Sequence, residues 1–267
     1  MRDSDNSKAT MVDYAAFPPQ RQCKIKQLLS EQGRVVCAEL SRALNVSEHT
    51  IRRDLKELAR AGACKRVYGG AVNMLAPAGN FNERLTEDDS VKADIARAAV
   101  GVLKPDTCVF IDAGTTNLAV ARLIPDTMKL TVVCNSPLIA AELLRHPELE
   151  VILIGGKINR ETGGAVSIDT LRQLETMYFD QCLLGGCAFD VHHGLTVFGY
   201  EEAEFKKTLL RRSNEIFVAL TANKLSALAR YRVCDSDDIT TLFTDKGLSD
   251  ASLNLLQQHK LNVIVAR

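Results

Sequence analysis

Between residues 107 and 266 short apolar runs alternate with amphipathic stretches, and this alternation leaves few folds open. The apolar runs are 107–112, 130–134, 150–155, 180–185, 215–220, 239–243 and 261–266. Helical spacing marks 91–103, 117–123, 136–145, 168–177, 200–213 and 249–259. Continuously apolar strands separated by helices predict a mainly parallel sheet covered on both faces, an α/β architecture. Such sheets take ligands beyond the carboxyl ends of their strands. No run nears the roughly 18 apolar residues of a membrane helix, and a stretch such as Val151-Ile-Leu-Ile154 suits a buried strand.

Charge is spread unevenly around that region. The 267 residues carry no formal net charge, yet residues 20–72 hold eleven Lys and Arg against five Asp and Glu, a net of +6. The first 19 residues carry −1 and residues 73–267 the remaining −5. A small basic head on a larger acidic body suits a nucleic-acid reader joined to a second function. Within the head, Ile25, Leu28 and Leu29 keep helical spacing and Gly33 stops the helix. A short second helix fits 37–44, and Asn45-Val46-Ser47 makes a tight turn whose serine can cap a third helix. That third helix buries Ile51, Leu55 and Leu58, and leaves Ser47, His49, Thr50, Arg52, Arg53 and Lys56 for its other faces. Helix, helix, tight turn and basic helix is the helix-turn-helix arrangement, whose last helix fits a DNA major groove. Gly62 ends the helix, and 63–72 reads as a β-hairpin wing on which Lys65 and Arg66 can meet phosphate. The plainer alternative is a three-helix bundle with a solvated basic face.

The domain expectation is therefore a winged head over 18–73, a Pro/Gly-bearing linker over 74–90 and an α/β domain over 91–267. A composition of 46% hydrophobic and 25% charged residues excludes a disordered or collagen-like chain. Residues 1–14 are polar and acidic with no apolar core, which is not the pattern of a signal peptide, so a cytoplasmic protein is expected. The eight cysteines are scattered without a C-x-x-C pair and read as free thiols of a reducing compartment. The single histidine pair, His192-His193, sits in a turn, so no metal site and no cofactor is expected.

One strand end is distinctive. The run ending at Asp112 leads into Ala113-Gly114-Thr115-Thr116-Asn117 and then a helix. Glycine lets the backbone approach a ligand, while threonine hydroxyls and free helix N–H groups present donors to an anion. No Gly-Lys-Ser/Thr follows, so it is not a nucleoside-triphosphate loop; a plain capped helix is the alternative. Asn135-Ser136 and Gly155-Gly156-Lys157 follow two other strands. Glu202 and Lys207 lie on a helix and Lys224 follows a strand; lysines converging on a phosphate or a sugar hydroxyl would make a binding arrangement.

These residues carry a family resemblance. Arg21-x3-Ile25-x3-Leu29, then Ser47-x-x-Thr50-Ile-Arg-Arg-Asp-Leu55, then Arg66-x-x-Gly69-Gly70-Ala71 resembles the helix-turn-helix signature of DeoR-type bacterial transcriptional regulators. Ile111-Asp-Ala-Gly-Thr-Thr116, Asn135-Ser136, Gly155-Gly156, Phe189-Asp190, Gly194-Leu-Thr196, Glu202-Ala203 and Lys207 resemble the effector domain of that family, so the likeness spans about residues 20–267. It implies a domain similar in fold to ribose-5-phosphate isomerase, a phosphorylated sugar or related metabolite as effector with phosphate near Gly114–Thr116, Asp190 as a further site residue, and double-stranded operator DNA as partner.

The chain departs from the family pattern at Cys187-Ala188, where Asp-Gly is common, at Thr221, where Asp is common, and at Ser167, where Gly is common. These departures cluster in the expected pocket, where ligand identity is decided. The resulting expectation is a repressor of a carbohydrate-metabolism operon, a homo-oligomer (dimer or tetramer) because two recognition helices must reach half-sites about 34 Å apart. Two alternatives stand beside it: a sugar-phosphate isomerase-like enzyme with Glu202 as base, and a DNA-binding protein with a degenerate pocket.

Overall fold

The computed structural model describes residues 14–77, 79–87, 89–248 and 250–266. Residues 1–13, most of the segment on which the signal-peptide reading rests, lie outside the described residues, as does Ser249 at the head of the 249–259 helix. The chain forms two compact units, Met1–Met74 and Leu75–Arg267.

The first unit runs α1 (Pro18–Gln32), β1 (Arg34–Val36), α2 (Cys37–Leu44), α3 (Glu48–Arg60), β2 (Cys64–Val67) and β3 (Gly70–Met74). Proline in the first turn opens α1, where its missing N–H costs nothing, and left-handed Gly33 closes it. Asn45, also left-handed, ends α2, and the Ser47 hydroxyl accepts the Thr50 N–H at 3.2 Å to start α3. Ile25, Leu29, Leu40, Leu44, Ile51, Leu55 and Leu58 interlock as the core. The wing has one strand more than the sequence suggests: β3 pairs antiparallel with both β2 and β1. The two glycines of the wing have separate reasons. Gly69 turns the chain at φ +76°, and a Cβ on Gly70 would collide with the carbonyl oxygen of Val35 on β1.

One feature of this core is not apolar. Arg21 of α1 and Asp54 of α3 are both buried and doubly bonded, Nε to Oδ2 at 2.5 Å and Nη2 to Oδ1 at 3.1 Å. Arg21 Nη1 also donates to the carbonyl of Tyr14. This pair fixes the two helices in one register and explains why an arginine and an aspartate stand among the apolar positions of the motif.

The second unit begins with α4 (Phe81–Leu85) and α5 (Asp89–Val100), followed by β4 (Thr107–Ile111), α6 (Thr115–Leu123), β5 (Leu130–Cys134), α7 (Pro137–Leu143) and β6 (Leu149–Leu153). Then come β7 (Ile158–Asn159), β8 (Gly164–Ala165), α8 (Ile168–Leu174), β9 (Phe179–Leu184), β10 (Ala188–Asp190), β11 (Gly194–Val197), α9 (Tyr200–Arg211) and β12 (Ser213–Ala219). The chain closes with β13 (Ala227–Leu228), β14 (Tyr231–Cys234), β15 (Thr241–Thr244), α10 (Asp250–Gln258) and β16 (Val263–Val265).

The seven apolar runs are the seven strands of one sheet, ordered β16-β15-β12-β9-β4-β5-β6, and every neighbouring pair is parallel. Alternate residues feed opposite cores: Phe110 packs with Phe179, Phe205 and Leu209 on one face, while Val109 and Ile111 pack with Ile95, Leu118 and Ile139 on the other. The unit is therefore an α/β layer structure as expected. Strand order turns in both directions from β4, toward β5 on one side and β9 on the other, and that switch point is where a parallel sheet opens a crevice.

The 74–90 stretch is not a simple linker. Asn80 and Glu83 form a capping box that starts α4, and Phe81 is 3% exposed in the core beneath it. The Lys92 ammonium donates to the carbonyls of Arg84 and Glu87 and so ties α4 to α5. The β7–β8 hairpin and the antiparallel β10-β11-β14 sheet are likewise absent from the sequence reading, because strands of two to four residues carry too little alternation to register.

Candidate functional site

At the carboxyl ends of β4, β9 and β12 lies a cavity of about 510 Å³. The polar lining includes Thr115, Thr116, Glu202, Lys206, Lys224 and Arg84. The loop from β4 into α6 forms one wall. Gly114, at φ +148°, makes the bend, and no side chain caps the helix, so the backbone N–H groups of its first turn are open to a guest. Two buried amides hold the loop in place. Asn117 Nδ2 donates to the carbonyls of Asp112 and Leu183 at 2.8 and 3.1 Å. Asn135 Oδ1 accepts the Ala113 N–H at 2.8 Å, and its Nδ2 donates to the carbonyl of Ala165 at 3.0 Å.

Behind this wall sits a buried charged triad. Asp112, 1% exposed, accepts the Gly185 N–H at 3.0 Å and a bond from the Lys206 ammonium, which also lies 3.4 Å from Glu202 Oε1. Burial works against the Lys206 charge, but Asp112 and Glu202 overcome it and hold its pKa above that of an ordinary lysine. Burial also raises the Glu202 carboxyl pKa, and Lys206 offsets only part of that rise.

Lys224 is different. It lies on a 3-10 turn (Ala222–Lys224) after β12, and its ammonium makes no hydrogen bond or ion pair with the described residues. Burial, then the positive charge of Arg84, push its pKa down to about 8; Cys187 pulls the other way, and Lys92 and Lys206 add smaller downward effects. Arg84 donates through Nη2 to the Glu161 carbonyl, and its buried Nε has no partner.

The sequence-expected site residues divide. Gly114, Thr115, Thr116, Glu202 and Lys224 line the cavity, and Asp112 lies directly behind it. Asn135 instead braces the loop from the rear, and the fully buried Ser136 opens α7. Gly155, Gly156 and Lys157 follow the edge strand β6, outside the cavity lining; the Gly155 carbonyl takes Thr170 Oγ1 at 3.0 Å and Gln173 Nε2 at 3.0 Å. The crevice opens between β4 and β9, and β5 stands between it and that edge. Asp190 closes the β10–β11 turn, accepting the His192 N–H at 3.1 Å and meeting His193 Nδ1 at 2.7 Å.

Lys207 is the clearest correction. It is 37% exposed, pairs with Glu204 at 2.7 Å and does not line the cavity. Its neighbour Lys206 points inward, because it stands four residues after Glu202 on the same face of α9. That i, i+4 spacing was the sequence signal that could have found it. Arg84 had a weaker signal, the Asn80-x-x-Glu83 capping box that announces its helix. Of the departures from the family pattern, Cys187 lines the cavity. Ala188 is fully buried, Thr221 Oγ1 donates to Asn223 Oδ1 at 2.6 Å, and Ser167 meets Thr170 at 3.1 Å.

In the first unit, His49, Arg52, Arg53 and Lys56 on α3, and Lys65 and Arg66 on β2, are all exposed. Ser47 and Thr50 bond to each other at the start of α3. Arg52 and Arg53 meet Glu48 and Glu57 at 2.7 and 3.4 Å, surface pairs weak enough for a phosphate to displace. Among the described residues no group of His, Cys, Asp and Glu could hold a metal ion, and no helix is long and apolar enough to cross a membrane.

Comparison with known proteins bears on both units. Residues 21–74 match the model of the DeoR-like helix-turn-helix domain, and residues 87–246 that of the DeoR C terminal sensor domain. The HTH-type transcriptional regulator GolR of Listeria innocua is 32% identical over 252 residues, covering 94% of this chain and 99% of that protein. The glycerol-3-phosphate regulon repressor of Escherichia coli K12 is 28% identical, covering 91% of this chain and 97% of that protein. Among solved structures, ribose 5 phosphate isomerase A of Neisseria gonorrhoeae aligns at a TM-score of 0.38 and 15% identity, over 52% of this chain and 55% of that one.

Proposed function

The chain belongs to the DeoR family of transcriptional regulators, and we propose that it represses a carbohydrate-metabolism operon under the control of a phosphorylated sugar. The observation that carries this reading is the junction, in one cavity, of an open helix N-terminus at Gly114–Thr116 with the unpaired ammonium of Lys224. Backbone N–H groups at a helix start suit a phosphate, and a cation in the wall of the same cavity makes the whole space favourable to an anionic ligand. A relative of nearly equal length is named for a glycerol-3-phosphate regulon, which is consistent with a phosphorylated effector.

The protein acts as a cytoplasmic homo-oligomer on double-stranded operator DNA, with α3 in the major groove and the β2–β3 wing beside the backbone. Effector binding favours one arrangement of the paired heads, and a coupling of about 1–3 kcal/mol suffices to change operator affinity 5- to 150-fold. An isomerase reading fares worse. A general base must be free to take a proton from the substrate, whereas Glu202 is held by Lys206, which is itself locked to Asp112.

Two measurements test this. Calorimetry on the full chain is expected to detect binding of at least one sugar phosphate and none of its dephosphorylated counterpart; equal binding of both would remove the phosphate cradle. On DNA, Arg52→Ala and Arg53→Ala are each expected to reduce the slope of log K against log[salt] by about 0.9 per lost phosphate contact. An unchanged slope in both variants would place the DNA-binding face elsewhere.

A further inference from the structure

We propose that the cavity contains a second anion subsite, built by Arg84 and Lys224, and that the effector carries another anionic group at the end opposite its phosphate. The proposal rests on reading Gly114–Thr116 as the phosphate cradle and adds the chemistry of the ligand's far end.

The cavity is short of negative charge at one end. Its two buried carboxylates, Asp112 and Glu202, are both committed to Lys206. Nothing comparable faces Lys224, whose ammonium has no partner among the described residues while Arg84, Lys92 and Lys206 crowd it with positive charge. Arg84 spends Nη2 on the Glu161 carbonyl and leaves a buried Nε unused. The remaining acidic residue of the lining, Glu161, is exposed and forms no ion pair with either cation. A partly buried cation without a counter-ion is unfavourable, and its retention in a cavity wall is accounted for when a ligand supplies the charge.

The spacing fits a two-ended molecule. Gly114 follows β4, Lys224 follows β12, and β9 lies between those strands. Two strand spacings are about 10 Å, the reach of an extended short sugar chain with an anion at each end. Gly185 and Gly186, after β9, line the cavity between them. The shared chemistry is a sugar phosphate whose far end bears a carboxylate or a second phosphate. A neutral aldehyde or hydroxyl end leaves both cations unmatched.

Matched probes decide the matter by calorimetry on the full chain at pH 8. D-glucitol 6-phosphate is compared with 6-phospho-D-gluconate, and fructose 6-phosphate with fructose 1,6-bisphosphate. The two-ended member of at least one pair is expected to bind at least about tenfold more tightly, the weight of one charge-assisted hydrogen bond. The carboxylate pair and the bisphosphate pair distinguish which anion is preferred. Because Lys224 titrates near pH 8, binding of the two-ended member is also expected to take up about half a proton, read from the dependence of the heat on buffer ionisation. In Lys224→Gln the preference within the favoured pair shrinks and proton uptake vanishes. Equal affinity within both pairs for the unaltered chain overturns the proposal. Crystals of the full chain soaked in inorganic phosphate separate the two levels of the account. Two phosphates in the cavity support both subsites. One on α6 alone overturns the second subsite, and none on α6 overturns the cradle as well.

Discussion

Lys206→Ala is expected to destabilise the second unit by about 3–5 kcal/mol, the loss typical when one partner of a buried ion pair is removed. The lysine stands between Asp112 and Glu202, all three are nearly inaccessible to water, and without it two carboxylates face each other across the space it vacates. Urea denaturation of the full chain measures the loss, with Lys207→Ala as the comparison. Lys207 is partly exposed and its pair with Glu204 is a surface one, so that variant is expected to shift stability by less than about 0.5 kcal/mol. The pH dependence carries a sign. Glu202 already has a raised pKa from burial, and removing Lys206 takes away the charge that holds it down. The folded state then binds more protons than the unfolded one, so stability falls as pH rises through the carboxylate range and the variant recovers when the solution is made acidic. Equal losses for Lys206→Ala and Lys207→Ala would contradict the assignment of the inward-facing lysine.

Asp54→Ala is expected to have the largest effect on the first unit. It strips the counter-ion from Arg21 inside a core of modest size, and a loss of about 3–5 kcal/mol is comparable to the whole stability of a domain so small. The expected result is a head that unfolds while the second unit keeps its sugar-phosphate binding. Limited proteolysis cutting before Leu75, loss of DNA binding and an unchanged calorimetric titration together make that pattern. Retention of DNA affinity would show that the Arg21–Asp54 pair is not what holds α1 against α3.

The sequence was most readable where one physical signal repeats. Seven apolar runs became seven strands: in the inner strands burial on both faces of a parallel sheet demands unbroken Val, Ile, Leu and Phe, whereas the edge strand β6 keeps its apolar run with Ile152 and Leu153 exposed rather than buried. The head was legible from caps and spacing: Gly33, Asn45 and Ser47 end or start helices as their residue types dictate. Legibility failed where tertiary contact outweighs local pattern. Phe81 and Arg84 lie in a stretch whose Pro and Gly suggested a linker, yet the capping box and the buried ring make it structured. Asn135 and Asp190 are polar residues at loop positions, and polarity there does not distinguish a ligand contact from a brace for the backbone. The Lys206–Lys207 error has the same origin: two adjacent lysines look equivalent in a sequence but differ by about 100° around a helix, and only the Glu202 spacing chooses between them.

Occupancy of the Gly114–Thr116 cradle is expected to alter the grip of the α3 head on DNA. Fluorescence anisotropy on genomic operator fragments recovered with the chain itself tests it most directly, read with and without a panel of phosphorylated sugars and their dephosphorylated counterparts. At least one phosphorylated member is expected to shift operator affinity by about 5- to 150-fold, its dephosphorylated form to leave it unchanged, and Thr115→Asp, which sets a negative charge at the mouth of the cradle, to abolish the response. Operator affinity indifferent to every phosphorylated sugar, or a response that survives Thr115→Asp intact, would contradict it.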